Sequence, residues 1–181
     1  MERLADIVIA PAGPGDAAEL GAVHVAAWRQ TYPGLLPPAY LAAMNPALHA
    51  RRWRHHLTRA RPGDVTLVAE GPQGLIGYGS GALAAREGES ADAEVFTLYL
   101  IGSAQGIGLG GRLMASMARV FDAQGAVSLR LWVLAGNLRA RAFYEHLGGR
   151  TAEARAVNGW GGGLREIAYR WDDIRMLVDR A

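Results

Sequence analysis

The chain of 181 residues contains no cysteine. That excludes disulfides, thiolate metal sites and cysteine nucleophiles, and nothing argues for an oxidising compartment. It also contains no lysine, so all 19 basic residues are arginines. A Schiff-base lysine, a lysine general base and the lysine of a phosphate-binding P-loop are therefore absent. No apolar run approaches the ~18 residues of a membrane span. The opening MERLADIVIAPAG lacks the long apolar stretch behind a basic start that marks a secretory signal. The expectation is a cytoplasmic protein with no membrane partner. The histidines at 24, 49, 55, 56 and 146 form no H-E-x-x-H or similar pattern, so no metal is implied. No serine sits in a G-x-S-x-G elbow, so a covalent acyl-enzyme is not expected.

What is present is ordinary globular composition, 50% hydrophobic and 20% charged, at a length suited to one domain spanning 1–181. Such a chain buries roughly two-thirds of its unfolded surface and needs no staples. The net charge of +2 suits an anionic ligand but is too small to argue for nucleic acid. The densest basic patch, Arg51-Arg52-Trp53-Arg54-His55-His56 with Arg59 and Arg61, reads first as the solvated face of a helix.

Periodicity places strands near 4–10, 64–69, 75–84, 93–101, 127–134, 150–157 and 164–171. Helical patterns fall near 14–28, 38–44, 46–59, 108–124 and 137–147. The segment TYPGLLPP is a loop, as are 85–90 and 158–163. The strand–helix–strand unit after Ala93 should be parallel and right-handed, and the hairpins antiparallel. The sheet is therefore mixed, in an α+β or α/β fold.

The stretch QGIGLGGRLM at 105–114 raises the question of a ligand. It satisfies G-x-G-x-x-G, but a dinucleotide site needs a carboxylate at the end of the next strand. Here that strand runs into Ala135-Gly136-Asn137, and Asp122 lies inside the preceding helix. Four residues, Gly102 to Gln105, also separate the strand from the glycines, so the dinucleotide reading fails. What survives is simpler. Glycines let backbone N–H groups approach a ligand closely, and the first N–H groups of a helix are unpaired and partly positive. Together they suit a diphosphate. The plain alternative is a tight turn that holds nothing.

A second segment, NLRARAFYEHLGG at 137–149, changes the balance. With LYLIGSAQGIGLGGRLM it closely resembles the GCN5-related N-acetyltransferase (GNAT) superfamily. Gln105, Gly108 and Gly110 match that family's Q/R-x-x-G-x-G/A acetyl-CoA loop. Asn137, Ala140, Phe143, Tyr144 and Gly148 match its N-x-x-A-x-x-F-Y-x-x-x-G segment. WRQTYPGLLPPAYL is also similar to a recurring bacterial subgroup, through Trp28, Tyr32, Gly34 and Pro37. One departure is Gly149, where the family often has an aromatic residue.

The resemblance implies a mixed, mostly antiparallel sheet of about seven strands with helices on both faces. It implies acetyl-CoA as acyl donor and a primary amine, on a small molecule or a peptide, as acceptor. No metal is implied, and a homodimer is compatible with it. Backbone groups of Gln105, Gly106, Ile107, Gly108, Leu109, Gly110 and Gly111 would hold the diphosphate. The preceding strand should part from its parallel neighbour near Leu98, Tyr99 and Leu100, leaving backbone groups for the pantetheine arm. Tyr144 is the candidate general acid, since a phenol is neutral at pH 7 and can protonate a departing thiolate. Its plain alternative is a core tyrosine. Asn137 is an N-cap and, by resemblance, a contact to CoA. Glu94 is the candidate base, directly or through water, against an ammonium-binding role or a plain strand carboxylate. Trp28, Tyr32 and Trp160 are candidates for the acceptor pocket, partly through cation–π contact, with core packing the alternative for Trp28. Arg112, Arg139 and Arg141 could reach CoA phosphates, but Arg141 could equally pair with Glu145. The rival from another class is a non-catalytic acyl-CoA-binding or sensing module.

Overall fold

A computed structural model describes residues 4–83, 91–157 and 163–179. Seven strands form one sheet: β1 (Val8–Pro11), β2 (Asp64–Gly71), β3 (Gly74–Leu83), β4 (Ala93–Leu100), β5 (Leu129–Leu134), β6 (Arg150–Ala156) and β7 (Arg165–Trp171). Their order across the sheet is β1-β2-β3-β4-β5-β7-β6. All neighbours are antiparallel except β4 and β5, which are parallel. The helices are α1 (Ala17–Thr31), α2 (Pro38–Ala43), α3 (Pro46–Thr58), α4 (Leu109–Ala123), α5 (Leu138–His146) and α6 (Arg175–Val178).

The mixed sheet is as expected, with two local differences. The expected opening strand at 4–10 is shorter, β1 at Val8–Pro11, and a 3-10 turn over Leu4–Asp6 precedes it. The carbonyl of Leu4 is held by Arg112 Nη1 at 2.8 Å, from a helix more than a hundred residues on. Short α6, near the C-terminus, had no signal in the hydrophobic period.

The strand alternation explains the layers. On β2 and β3, Val68 and Tyr78 face α1, in a cluster with Leu20 and Val23. Val65 and Leu67 face the other way, in a cluster with Leu113, Met114, Met117 and Phe121 of α4. Those four recur at helical spacing and are fully buried. Close packing there depends on an absent side chain: a Cβ on Gly79 would lie 2.4 Å from Met117 Sδ. On the opposite face α3 lies on α1, where a Cβ on Gly21 would lie 2.5 Å from the Pro46 carbonyl oxygen.

Candidate active site

The parallel pair β4–β5 is joined only over Ala93↔Leu129, Glu94↔Arg130 and Val95↔Leu131. Beyond it each strand keeps its outer partner. β4 pairs with β3 as far as Leu100, and β5 pairs with β7 as far as Leu134. Residues 96–100 and 132–134 therefore diverge, leaving backbone donors and acceptors on the inner edges of a wedge. The gap includes the expected Leu98–Leu100 and begins earlier, at Phe96. The ladder to β3 shifts register at the same point, from Gly81↔Val95 to Ser80↔Thr97, so Phe96 is an extra, half-exposed residue in a bulge.

The glycine loop lies at the far end of β4. Gln105 Nε2 donates to the Leu100 carbonyl at 3.0 Å, tying the loop back to the strand. Gly106 and Gly108 have φ of +79° and +88°, a region that glycine enters at little cost. Gly108 is the N-cap of α4, and the first backbone bond into the helix runs from Arg112 N–H to the Gly108 carbonyl at 3.1 Å. Among the described residues, no protein acceptor takes the six N–H groups from Gly106 to Gly111. A Cβ on Gly106 would meet nothing within 4 Å, so this rim of the loop is open.

The second motif packs directly on the first. A Cβ on Gly110 would lie 3.2 Å from Phe143 Cζ, and one on Gly111 would lie 3.8 Å from Leu147 Cδ2. Asn137 caps α5, its Oδ1 accepting from Ala140 N–H at 3.2 Å. Tyr144 is buried, with Phe143, Tyr169 and Trp171 rings at 5.3, 5.8 and 6.3 Å. Burial, and then the nearby Tyr32 phenol, push its pKa up, so the hydroxyl stays protonated. Among the described residues that hydroxyl has no hydrogen-bond partner. Gly149 has a local reason: a Cβ there would lie 2.7 Å from Trp171 Cζ2, so the β7 indole fills the space an aromatic residue would need.

Glu94 sits on the middle parallel pair, and Arg130 opposite donates to its Oε2 from Nε at 2.7 Å and from Nη2 at 2.6 Å. This ion pair is not expected from the sequence, where the two residues stand 36 apart.

Trp28 and Tyr32 belong to an aromatic cluster built largely by α1. His24 and Trp28 on α1, and Tyr32 at its C-cap, recur every four residues. The His24 ring lies 4.3 Å from His49 and 5.1 Å from Trp28, and Trp28 lies 4.9 Å from Tyr32. His24 Nδ1 is hydrogen-bonded to Tyr78 Oη at 2.6 Å, and Tyr32 Oη to Tyr99 Oη at 2.7 Å. Burial, then His49 and then Arg52, lower the His24 pKa to about 4, so the ring is neutral. Tyr32 and Leu134, at the end of β5, pack against the same cluster around Leu36 and Leu41, and a Cβ on Gly136 would meet Leu35 Cδ2 at 2.8 Å. The turn after α1 thus covers the open end of the wedge. Across from it, Arg155 stacks on Trp132 at 3.9 Å and pairs with Glu166 at 2.9 Å.

The structure thus brings together the loop, α5 and the wedge, with Tyr32, Tyr99 and Tyr144 at its edges. Trp160 lies outside the described residues. Arg112 is turned to Leu4, and Arg141 donates to Tyr169 Oη and to the Ala135 carbonyl, each at 3.2 Å, rather than pairing directly with Glu145. The side chains of Tyr99, Tyr78, His24, His49 and Arg130 were missed. The four-residue spacing on α1 was a usable signal for His24, but its partners come from other elements.

Comparison with known proteins gives the family and the fold. The family model described as Acetyltransferase (GNAT) family matches residues 24–149. The Bacillus subtilis protein named "Uncharacterized N-acetyltransferase YuaI" is 28% identical over 163 residues, covering 90% of this chain and 91% of that one. The Mycobacterium tuberculosis protein named "Probable N-acetyltransferase Rv2775" is 31% identical, covering 85% and 88%. Among solved structures, the PaiA N-acetyltransferase of Thermoplasma acidophilum, in complex with coenzyme A, superposes with a TM-score of 0.75. It covers 91% of this chain and 97% of that one at 20% identity, a likeness of fold.

Proposed function

Because this chain belongs to the GNAT acetyltransferase family, we propose that it transfers an acetyl group from acetyl-CoA to a primary amine by direct attack in a ternary complex. The observation that carries the reading is the run of six unpartnered N–H groups from Gly106 to Gly111 beside the β4–β5 wedge. Donors in that number, at a helix N-terminus, fit a diphosphate. The inner edges of β4 at Leu98, Tyr99 and Leu100 fit an amide-bearing arm that adds to the sheet like a strand, with Asn137 at the arm's other side. Acetyl-CoA, when bound, would supply an activated thioester.

The chain's own residues then divide the work. The wedge and loop fix the acyl group, and a held amine gains a large effective molarity. Tyr144 holds a proton at Oη for the departing sulfur. Glu94 draws the amine's positive charge and takes its proton, directly or through water, Oε2 being shared with Arg130. Trp28 and Tyr32 border the acceptor site, where aromatic faces suit an ammonium.

The test is release of free thiol when acetyl-CoA is offered with polyamines, amino acids, aminoglycosides and peptides with free N-termini. Amine-dependent release supports the reading. CoA binding with no release from any amine would favour a sensing module instead.

A further inference from the structure

Nothing in the reaction scheme above uses the side chain of Tyr99. It is partly buried, and it reaches across to the C-cap of α1 to meet Tyr32 at 2.7 Å. A hydroxyl in that position must spend its proton or a lone pair on the one partner it has. Its neighbours are Tyr78 at 5.8 Å, Trp28 at 6.1 Å and Tyr32 at 6.3 Å between ring centroids, and His24 edge-on at 5.9 Å. Tyr78 is already engaged by His24.

Tyr32 is placed differently. Its hydroxyl touches β4 through Tyr99, while its ring and Leu134 at the end of β5 pack against one cluster, Val25, Leu36, Leu41 and Met44. It therefore sits beside the wedge, on Tyr99, at a level where β4 and β5 are no longer paired. Tyr144 borders the same opening, near enough for the phenols of Tyr32 and Tyr144 to act on each other. If Tyr99 donates, Tyr32 accepts, and the proton of Tyr32 is left to point into the opening. A hydroxyl that accepts one hydrogen bond donates its own more strongly.

The geometry points to Tyr99 as a positioning residue that orients Tyr32 to donate a hydrogen bond to the negative charge developing on the thioester as the amine adds. The inference rests on the acetyltransfer reading. It makes Tyr32 a second donor beside Tyr144, and it turns a residue assigned only to the acceptor wall into part of the reacting centre. No proton changes owner in this step, since the donor stabilises charge by hydrogen bonding alone. A preorganised donor of this kind is worth about 10²–10³ in rate, and one left misaimed retains part of that.

The experiment is a double-mutant cycle of Tyr99→Phe and Tyr32→Phe. Thiol release from acetyl-CoA is followed with spermidine, glycine amide and an alanine-leading peptide, and CoA affinity is measured by calorimetry in parallel. Expected for Tyr99→Phe is a fall in kcat of about tenfold, with CoA affinity and amine KM within about twofold. Tyr32→Phe should fall by about a hundredfold, and the double variant should be no slower than Tyr32→Phe. A kcat for Tyr99→Phe within twofold of the parent overturns the inference and leaves acetyltransfer standing. So does a double variant whose loss is the product of the two single losses. If Tyr99→Phe fails to fold, retention of full kcat by Tyr32→Phe has the same force. Absence of thiol release by the parent chain with every amine overturns the acetyltransfer reading itself, and the inference with it.

Discussion

Glu94 and Arg130 stand directly opposite each other on the middle pair of the short β4–β5 ladder, with both guanidinium bonds falling on Glu94 Oε2. The pair sits immediately before the strands part. Replacing Glu94 by Gln keeps the shape and removes the charge. The expected outcome is a kcat at least tenfold lower and a changed pH–rate profile. Unchanged rate and profile would reduce Glu94 to a structural partner of Arg130.

Tyr144 has no hydrogen-bond partner among the described residues, while its ring is fixed by Phe143, Tyr169 and Trp171. Tyr144→Phe should leave the fold and CoA affinity intact and lower kcat by about a hundredfold. Stopped assays of thiol release, with CoA titrations in parallel, check both halves. A loss within threefold would remove Tyr144 as proton donor.

Gly149 is expected to tolerate no side chain. Its Cβ would meet Trp171 Cζ2 at 2.7 Å and the Tyr144 carbonyl oxygen at 3.0 Å. The indole cannot yield easily, because its Nε1 donates to the Leu147 carbonyl at 2.9 Å. Gly149→Ala should therefore cost about 1–3 kcal/mol of stability, measured by urea unfolding. An unchanged midpoint would show that the indole shifts freely.

His24 makes stability depend on acidity. Its folded pKa, about 4, lies below the ordinary value of 6.5, because the buried ring, facing His49 and Arg52, resists a proton. Below pH 6.5 the unfolded chain takes up a proton that the folded chain refuses, so stability falls as pH drops from 6.5 toward 4 and levels off beneath. The loss is up to about 3 kcal/mol. His24→Gln should flatten that part of a stability–pH curve. Parallel curves for parent and variant would contradict it.

The sequence made some of this legible, for physical reasons. The 3.6-residue period gave α4, and β-branched and aromatic residues gave β4. Glycine spacing marked a loop able to expose N–H groups. These signals are local. Missing were the relationships set by long-range register: Tyr99 beneath Tyr32, Arg130 against Glu94, Trp171 in the space beside Gly149. Each joins residues tens of positions apart, and only strand order decides which of them meet. The expected opening strand at 4–10 starts late, at Val8, and the Leu4 carbonyl before it is held by Arg112 from α4.

The most direct measurement is a 15N-labelled amide titration with coenzyme A, set beside one with pantetheine, which lacks the diphosphate. The amide resonances of Gly106 to Gly111 should move strongly with CoA and stay nearly still with pantetheine, which should move only residues along the β4–β5 wedge. If CoA leaves those six amides unmoved, they do not grip the diphosphate, and the account of this site is wrong.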